Sequence, residues 1–189
     1  MTARTPSELT DNPDELFDLV DLDDRVIGVV RRGDAHRNPA LIHRSVQALI
    51  FSTDGRLLLQ KRSARKDLFP GYYCASASGH VDAGEDYATT ATREIREELG
   101  VELRVVPFAK TLVRSACETE ITAMFVGECD GPFTFHLGET DGGEFMSLGA
   151  IRQRRDAGTL PMTPALLAAL DELERRGAAS ALPRLLAGL

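Results

Sequence analysis

The stretch GHVDAGEDYATTATREIREELGV, residues 79–101, decides how the rest of the chain is read. From about Asp86 to Leu99 the apolar positions Ala88, Ala91, Ile95 and Leu99 recur at helical spacing, which predicts a helix with one stripe packed against a core. Gly100 ends it, as a glycine just past a helix does. Glu94, Glu97 and Glu98 stand at i, i+3 and i+4, so three carboxylates share one face. That face lies about 100° around the helix from the apolar stripe, so one side can pack on a sheet while the acids project into a cleft. Like charges at this spacing repel by roughly 0.2–0.5 kcal/mol per pair. A hard divalent cation, Mg²⁺ or Mn²⁺, turns that repulsion into coordination. The plain alternative is a solvated charged face, in which Arg93 pairs with Glu97 four residues on and nothing binds.

Outward from this helix the pattern is largely strand. Leu16–Val20 and Val26–Val30 flank an acidic turn and read as an N-terminal β-hairpin. Residues 45–51 (SVQALIF) and 56–60 (RLLLQ) are joined by the turn residues 52–55 (STDG) and form a second hairpin. Residues 61–78 read as a loop. Strands are expected at 102–106, 111–115 and 120–126, with Gly-rich loops at 127–132 and 138–143. Thr163-Pro164 opens a last amphipathic helix carrying Leu166, Leu167, Leu170 and Leu173. No internal repeat or linker divides residues 14–176. They are expected to form one domain between an N-terminal tail, 1–13, and a C-terminal tail, 177–189.

Composition sets the outer limits. The 189 residues carry 22 Lys and Arg against 29 Asp and Glu, a net charge of −7, with 43% hydrophobic and 27% charged residues. An acidic chain argues against general nucleic-acid binding, and the run Arg152-Gln153-Arg154-Arg155 reads as a solvated helix face. No apolar run has the roughly 18 residues of a membrane span. The first 24 residues hold eight acids and one base, so no signal peptide is expected. Three cysteines, Cys74, Cys117 and Cys129, without a C-x-x-C spacing suit reduced thiols and a cytoplasmic location.

The residues flanking the three acids overturn the solvated-face alternative. Gly79, Glu85, Arg93-Glu94, Glu97-Glu98 and Gly100, with apolar residues at 95 and 101, match the signature of the Nudix hydrolases at every defined position. Seven fixed residues at background frequency recur by chance in about one in 10⁶ chains of this size. The resemblance covers about residues 15–150. It implies an α+β fold, an α/β/α sandwich with a mixed β-sheet, here with an added N-terminal hairpin. It also implies that Arg93 and Glu85 brace the loop-helix-loop by pairing, and that Glu94, Glu97, Glu98 and the Gly79 carbonyl hold Mg²⁺ or Mn²⁺. Glycine at 79 and 84 lets the backbone approach metal and phosphate closely.

The chain also resembles the Nudix branch related to isopentenyl-diphosphate isomerase. The features are His43-Arg44, residues 57–62 (LLLQKR), Phe69-Pro70-Gly71, Ser78-Gly79-His80 and Glu118-Thr119-Glu120. This resemblance implies a metal role for His80 and Glu118, and for Glu120 a role as ligand or general base. By the same analogy Arg62 and Lys66 bind the diphosphate, with Lys61 beside them; Tyr72, as an aromatic residue of the adjoining loop, is expected to stack on a base or cover an apolar tail of the substrate. His36, His43 and His136 carry no individual support. Ser78 stands where the isomerase needs a cysteine as proton donor, and a hydroxyl is far less acidic than a thiol. Cys74, four residues upstream, reads as a small buried residue.

With its acids complete, the chain is expected to hydrolyse a diphosphate linkage in a nucleoside diphosphate or its conjugate, CDP-type being the working guess. An isomerase and a non-catalytic nucleotide-binding module are the alternatives. A homodimer is a family-level expectation.

Overall fold

A computed structural model describes residues 12–66, 68–136 and 138–177. Of the two expected tails, residues 1–11 and 178–189 lie outside the described residues. The hairpin β1 (Leu16–Val20) and β2 (Val26–Arg31) leads through a single turn, α1 (Arg32–Ala35), into β3 (Ile42–Phe51) and β4 (Leu57–Arg62). Two short strands, β5 (Tyr73–Cys74) and β6 (Ala77–His80), precede the long helix α2 (Tyr87–Leu99). Strands β7 (Val106–Arg114), β8 (Thr119–Glu128) and β9 (Thr140–Met146) follow, and α3 (Leu148–Asp156) and α4 (Pro164–Arg175) come last.

β3 is the spine of a seven-stranded mixed sheet. It runs parallel to β8 over its whole length, from Ile42 opposite Thr119 to Phe51 opposite Glu128. Strands β3 and β4 pair only at Phe51 and Leu57, beside their connecting turn. Beyond that point they diverge: β3 takes β6 as partner, while β4 takes β5 and β9. The divergence opens the sheet beside the start of β6, and the site lies at that opening.

Helix α2 covers one face. Asp86 caps it by accepting from the backbone N–H groups of Ala88 and Thr89, at 2.9 and 3.0 Å, and Gly100 ends it at φ +68°. Ala91, Ile95 and Leu99 are buried with Val46, Ala48 and Ile50 of β3 in the clusters on this face. Ala88, expected in this stripe, is exposed at the first turn, and Thr90 is buried instead, bonded to Glu85. Helix α4 covers the opposite face, its N-terminus capped by the Thr163 hydroxyl. It packs Leu166, Ala169, Leu170 and Leu173 with Leu49, Phe51, Met124 and Val126; Leu167 faces outward. The two helices on opposite faces make the expected sandwich.

Three local expectations change. Residues 61–78 are not all loop: they complete β4, form β5 and begin β6, whose residues Ala77, Ser78 and Gly79 have little intrinsic strand preference and are held by pairing with β3. The strand expected at 102–106 begins only at Val106, because Leu103 and Val105 turn toward the α2 side of the core. The glycine-rich stretch at 138–143 enters β9 at Thr140, paired along β4. A Cβ at Gly143 would lie 2.7 Å from the Phe135 ring, so close packing requires glycine there. The run 152–155 lies on α3, where Arg152 and Arg155 pair with Glu174 of α4.

Candidate active site

On the α4 side of the sheet, β3 and β8 change character along their length. Toward their C-termini, Leu49, Phe51, Met124 and Val126 are core. Toward their N-termini the same face carries His43, Ser45 and Gln47 on β3 and Glu120 and Thr122 on β8, all buried. This polar half underlies a cavity of about 460 Å³, whose walls include Gly79, His80, Arg93, Glu94, Glu97, Glu98, Glu118, Glu120, Arg62 and Lys66.

Arg93 organises the box. Its guanidinium donates to Glu85 (3.0 Å), to Glu94 (2.7 Å) and to the His80 carbonyl (3.2 Å), and it stands 3.4 Å from Glu97. These bonds tie the loop to the helix. Gly79 lies so close under Glu94 that a Cβ would overlap the carboxylate. Its φ is unremarkable, so close approach and not backbone freedom is what requires glycine.

Glu98 accepts from the Gln60 side chain at 2.8 Å, through the opening between β4 and β6, and from the Ser78 N–H at 3.3 Å. A fourth acid, Glu139, lines the same cavity and pairs with Lys66 at 2.6 Å. Burial moves Glu94 up to about 7; Arg93 opposes the shift and Glu97 adds to it. Burial next to Glu94 and Glu139 moves Glu98 up strongly. Carboxyls driven toward their neutral form at neutral pH, lining one cavity, fit a hard divalent cation that would restore their charge.

A second cluster lies beside the first. His36, His43, His80 and Glu118 each offer a ligand atom, all within 4.8 Å of one another, and Glu120 stands 3.3 Å from His80 and 3.8 Å from His43. Phe17 of β1 stacks on His80 and His43, with centroids 4.7 and 5.2 Å away, and covers one side of the cluster. Burial and the neighbouring His80 lower His36 to about 3 and His43 to about 4, so both are neutral imidazoles. Burial and Glu120 raise Glu118 to about 8. Both ring nitrogens of His43 and one Glu118 oxygen are buried without a hydrogen-bond partner among the described residues. Neutral imidazoles with two carboxylates suit a transition metal.

The structure thus brings together Gly79, His80, Arg93, Glu94, Glu97, Glu98, Glu118, Glu120, Arg62 and Lys66. Lys61 and Tyr72 are not among the lining residues. Lys61 follows Gln60 on β4 and alternation turns it outward, while Tyr72 is 38% exposed beside Phe69. Cys74 is buried in the wall, its thiol pushed up to about 12 by burial and Glu98. Sequence reasoning missed Glu139, and left His36 and His43 without a role. The resemblance at His43-Arg44 was the available signal for His43; nothing local pointed to Glu139.

A sequence model described as NUDIX domain matches residues 41–166. The chain belongs to the Nudix family. A Nudix hydrolase of Deinococcus radiodurans is 33% identical over 157 residues, covering 77% of this chain and 86% of that protein. An isopentenyl-diphosphate Delta-isomerase of Nocardia farcinica is 40% identical over 84 residues, 44% of this chain and 48% of that one. For several curated relatives, the Nocardia isomerase among them, the chain spans only about half of their length. A crystal structure of a Deinococcus radiodurans protein superposes with a TM-score of 0.73 at 27% identity, covering 85% of this chain and 98% of that one. The Nudix fold and the family's acidic helix are therefore both present here.

Proposed function

We propose that this Nudix protein is a divalent-cation-dependent hydrolase that cleaves a diphosphate linkage in a nucleoside diphosphate or a conjugate of one, with CDP the first substrate to try. The observation that carries this reading is the convergence of Glu94, Glu97 and Glu98 on a cavity that Arg62 and Lys66 also line. Under this proposal the acids hold the cation and the cationic side chains hold the anion.

In this reading Glu94, Glu97, Glu98 and the backbone at Gly79 hold Mg²⁺ or Mn²⁺, and His80, Glu118 and Glu120, with His36 and His43, hold a second ion. Bound cations supply charge neutralisation on the phosphoryl oxygens and lower the pKa of water. Arg62 and Lys66 orient the diphosphate. Arg93 keeps Glu94 and the box loop in register. A water oxygen adds to phosphorus as the bridging P–O bond breaks; one proton passes to a carboxylate and the leaving phosphate takes the electron pair of the broken bond. In this reading Glu120, where it is not a ligand, is the carboxylate that accepts that proton.

A panel of nucleoside diphosphates and diphosphate conjugates, with Mg²⁺ or Mn²⁺ and phosphate release as readout, tests the reading. Cation-dependent release from at least one of them is expected; none across the panel would overturn it.

The buried histidine cluster and the isomerase among the relatives favour a second reading, isomerisation of an allylic diphosphate. Ser78 opposes it, lacking the acidity to protonate an alkene. Deuterium entering isopentenyl diphosphate from heavy water would reverse the order of the two.

A further inference from the structure

Gln47 lies in the middle of β3, opposite Ser78 of β6 and Met124 of β8, and is 2% exposed. Both ends of its carboxamide are buried without a hydrogen-bond partner among the described residues, and the residue lines the cavity. Its polar neighbours differ. Ser45 and Thr122 bond each other at 2.9 Å, Gln60 donates to Ser76 and Glu98, and the Thr163 hydroxyl caps α4. Among the described residues, His43 and Gln47 are the side chains of this floor with every polar atom unmatched; His43 belongs to the histidine cluster, and Gln47 does not.

A buried amide with two donors and two acceptors unmatched costs free energy that a methionine of similar volume would not incur. Positions that break a local rule without a local gain mark function. The place is also telling. Gln47 is one strand away from Ser78, whose N–H donates to Glu98, so a group held at the box acids through its phosphates would present its remaining portion near this amide.

We propose that Gln47 is the specificity-determining residue of the cavity, selecting diphosphates whose non-phosphate portion offers a hydrogen-bond donor and acceptor side by side, and rejecting hydrocarbon ones. This rests on the diphosphate site argued above. A nucleobase edge and a ribose diol both carry that chemistry. An isopentenyl chain does not, and would leave the amide unmatched in the complex, the situation in which polar sites discriminate most strongly.

Calorimetric titration with Mg²⁺ on the full chain separates the cases. The probes are methylenediphosphonate alone and its cytidine, ribosyl and isopentenyl esters. In the wild type the cytidine ester is expected to bind at least tenfold tighter than the isopentenyl ester. A ribosyl ester binding equally tightly assigns the contact to the sugar; a weak one assigns it to the base. Gln47→Met is expected to remove the preference while binding bare methylenediphosphonate as before, which also reports that it folds. Gln47→Asn, which withdraws the amide by one methylene, should lose most of the preference too. An isopentenyl ester that binds the wild type as tightly as the cytidine ester, or a preference that survives both substitutions, overturns the proposal. Failure of bare methylenediphosphonate to bind the wild type overturns the diphosphate site itself, and this proposal with it.

Discussion

At the scale of single residues, Glu98 does the most with the least freedom. Its carboxylate is fixed by Gln60 and the Ser78 N–H and is crowded by Glu94 and Glu139. Glu98→Gln keeps the shape and removes the charge. The melting temperature should stay within a few degrees of wild type, while turnover should fall on the order of 10³-fold, because charge neutralisation of the phosphoryl group is lost. Phosphate release beside a thermal melt measures both, and unchanged turnover would remove Glu98 from the cation site. Glu94, Glu97, Glu98, Arg93 and Glu85 could be read from the sequence because helix geometry is local: i, i+3 and i+4 share a face in any fold. Glu139, His36 and His43 could not. Glu139 and His36 reach the site through turns whose direction is set by pairing far along the chain, such as the bond from Ser63 N–H to the Glu139 carbonyl, and His43 reaches it through the pairing of β3 with β8. Gln47 was visible only as a polar residue in an apolar strand, and burial was needed to give that meaning.

At the scale of elements, the strongly patterned ones were legible and the paired ones were not. β3, α2 and α4 carry long apolar runs or stripes that commit them before any partner arrives. β6 carries Ala-Ser-Gly-His and is a strand only because β3 offers it four paired positions. That strand nevertheless positions the chemistry, since Gly79 lies directly beneath the Glu94 carboxylate. Gly79→Ala meets no backbone strain, only the side chain it displaces. It should lower stability by about 1–3 kcal/mol, as overpacking does, and should weaken cation binding about tenfold or more by moving Glu94. Chemical denaturation and a calorimetric Mn²⁺ titration of the same sample separate the two effects. Cation affinity equal to wild type would mean that the close packing of β6 on α2 does not set the geometry of the acids. The N-terminal hairpin was legible as a hairpin but not as part of the site. Phe17 shows otherwise, being wholly buried against the histidine rings.

At the scale of the whole molecule, two sets of buried groups pull stability in opposite directions with pH. Glu94, Glu98 and Glu118 have folded-state pKa values raised by burial, to about 7 for Glu94 and about 8 for Glu118. In the unfolded chain they ionise near 4.5, so the stability they add is complete below that pH and is lost as pH climbs toward 8. His36 and His43 are lowered to about 3 and about 4 by the same burial. Unfolded histidine takes up its proton near 6.5, so their contribution is complete above 6.5 and is lost as pH falls toward 4. Between about 4.5 and 6.5 the two trends oppose each other. Above 6.5 only the carboxyls still act. Without divalent cations, the protein should therefore lose stability between pH 6.5 and 8, by about 1.4 kcal/mol per pH unit for each carboxyl still protonated in the fold. A cation takes the place of those protons and binds better as they leave, so Mn²⁺ should raise the melting temperature more at pH 8 than at pH 6. Thermal melts across this range, in chelator and in excess Mn²⁺, provide the test. Parallel curves would mean that the buried carboxyls neither titrate in this window nor face a bound ion. Converging curves at low pH and a widening gap at high pH are the outcome required of acids that a fold has left to be neutralised from outside.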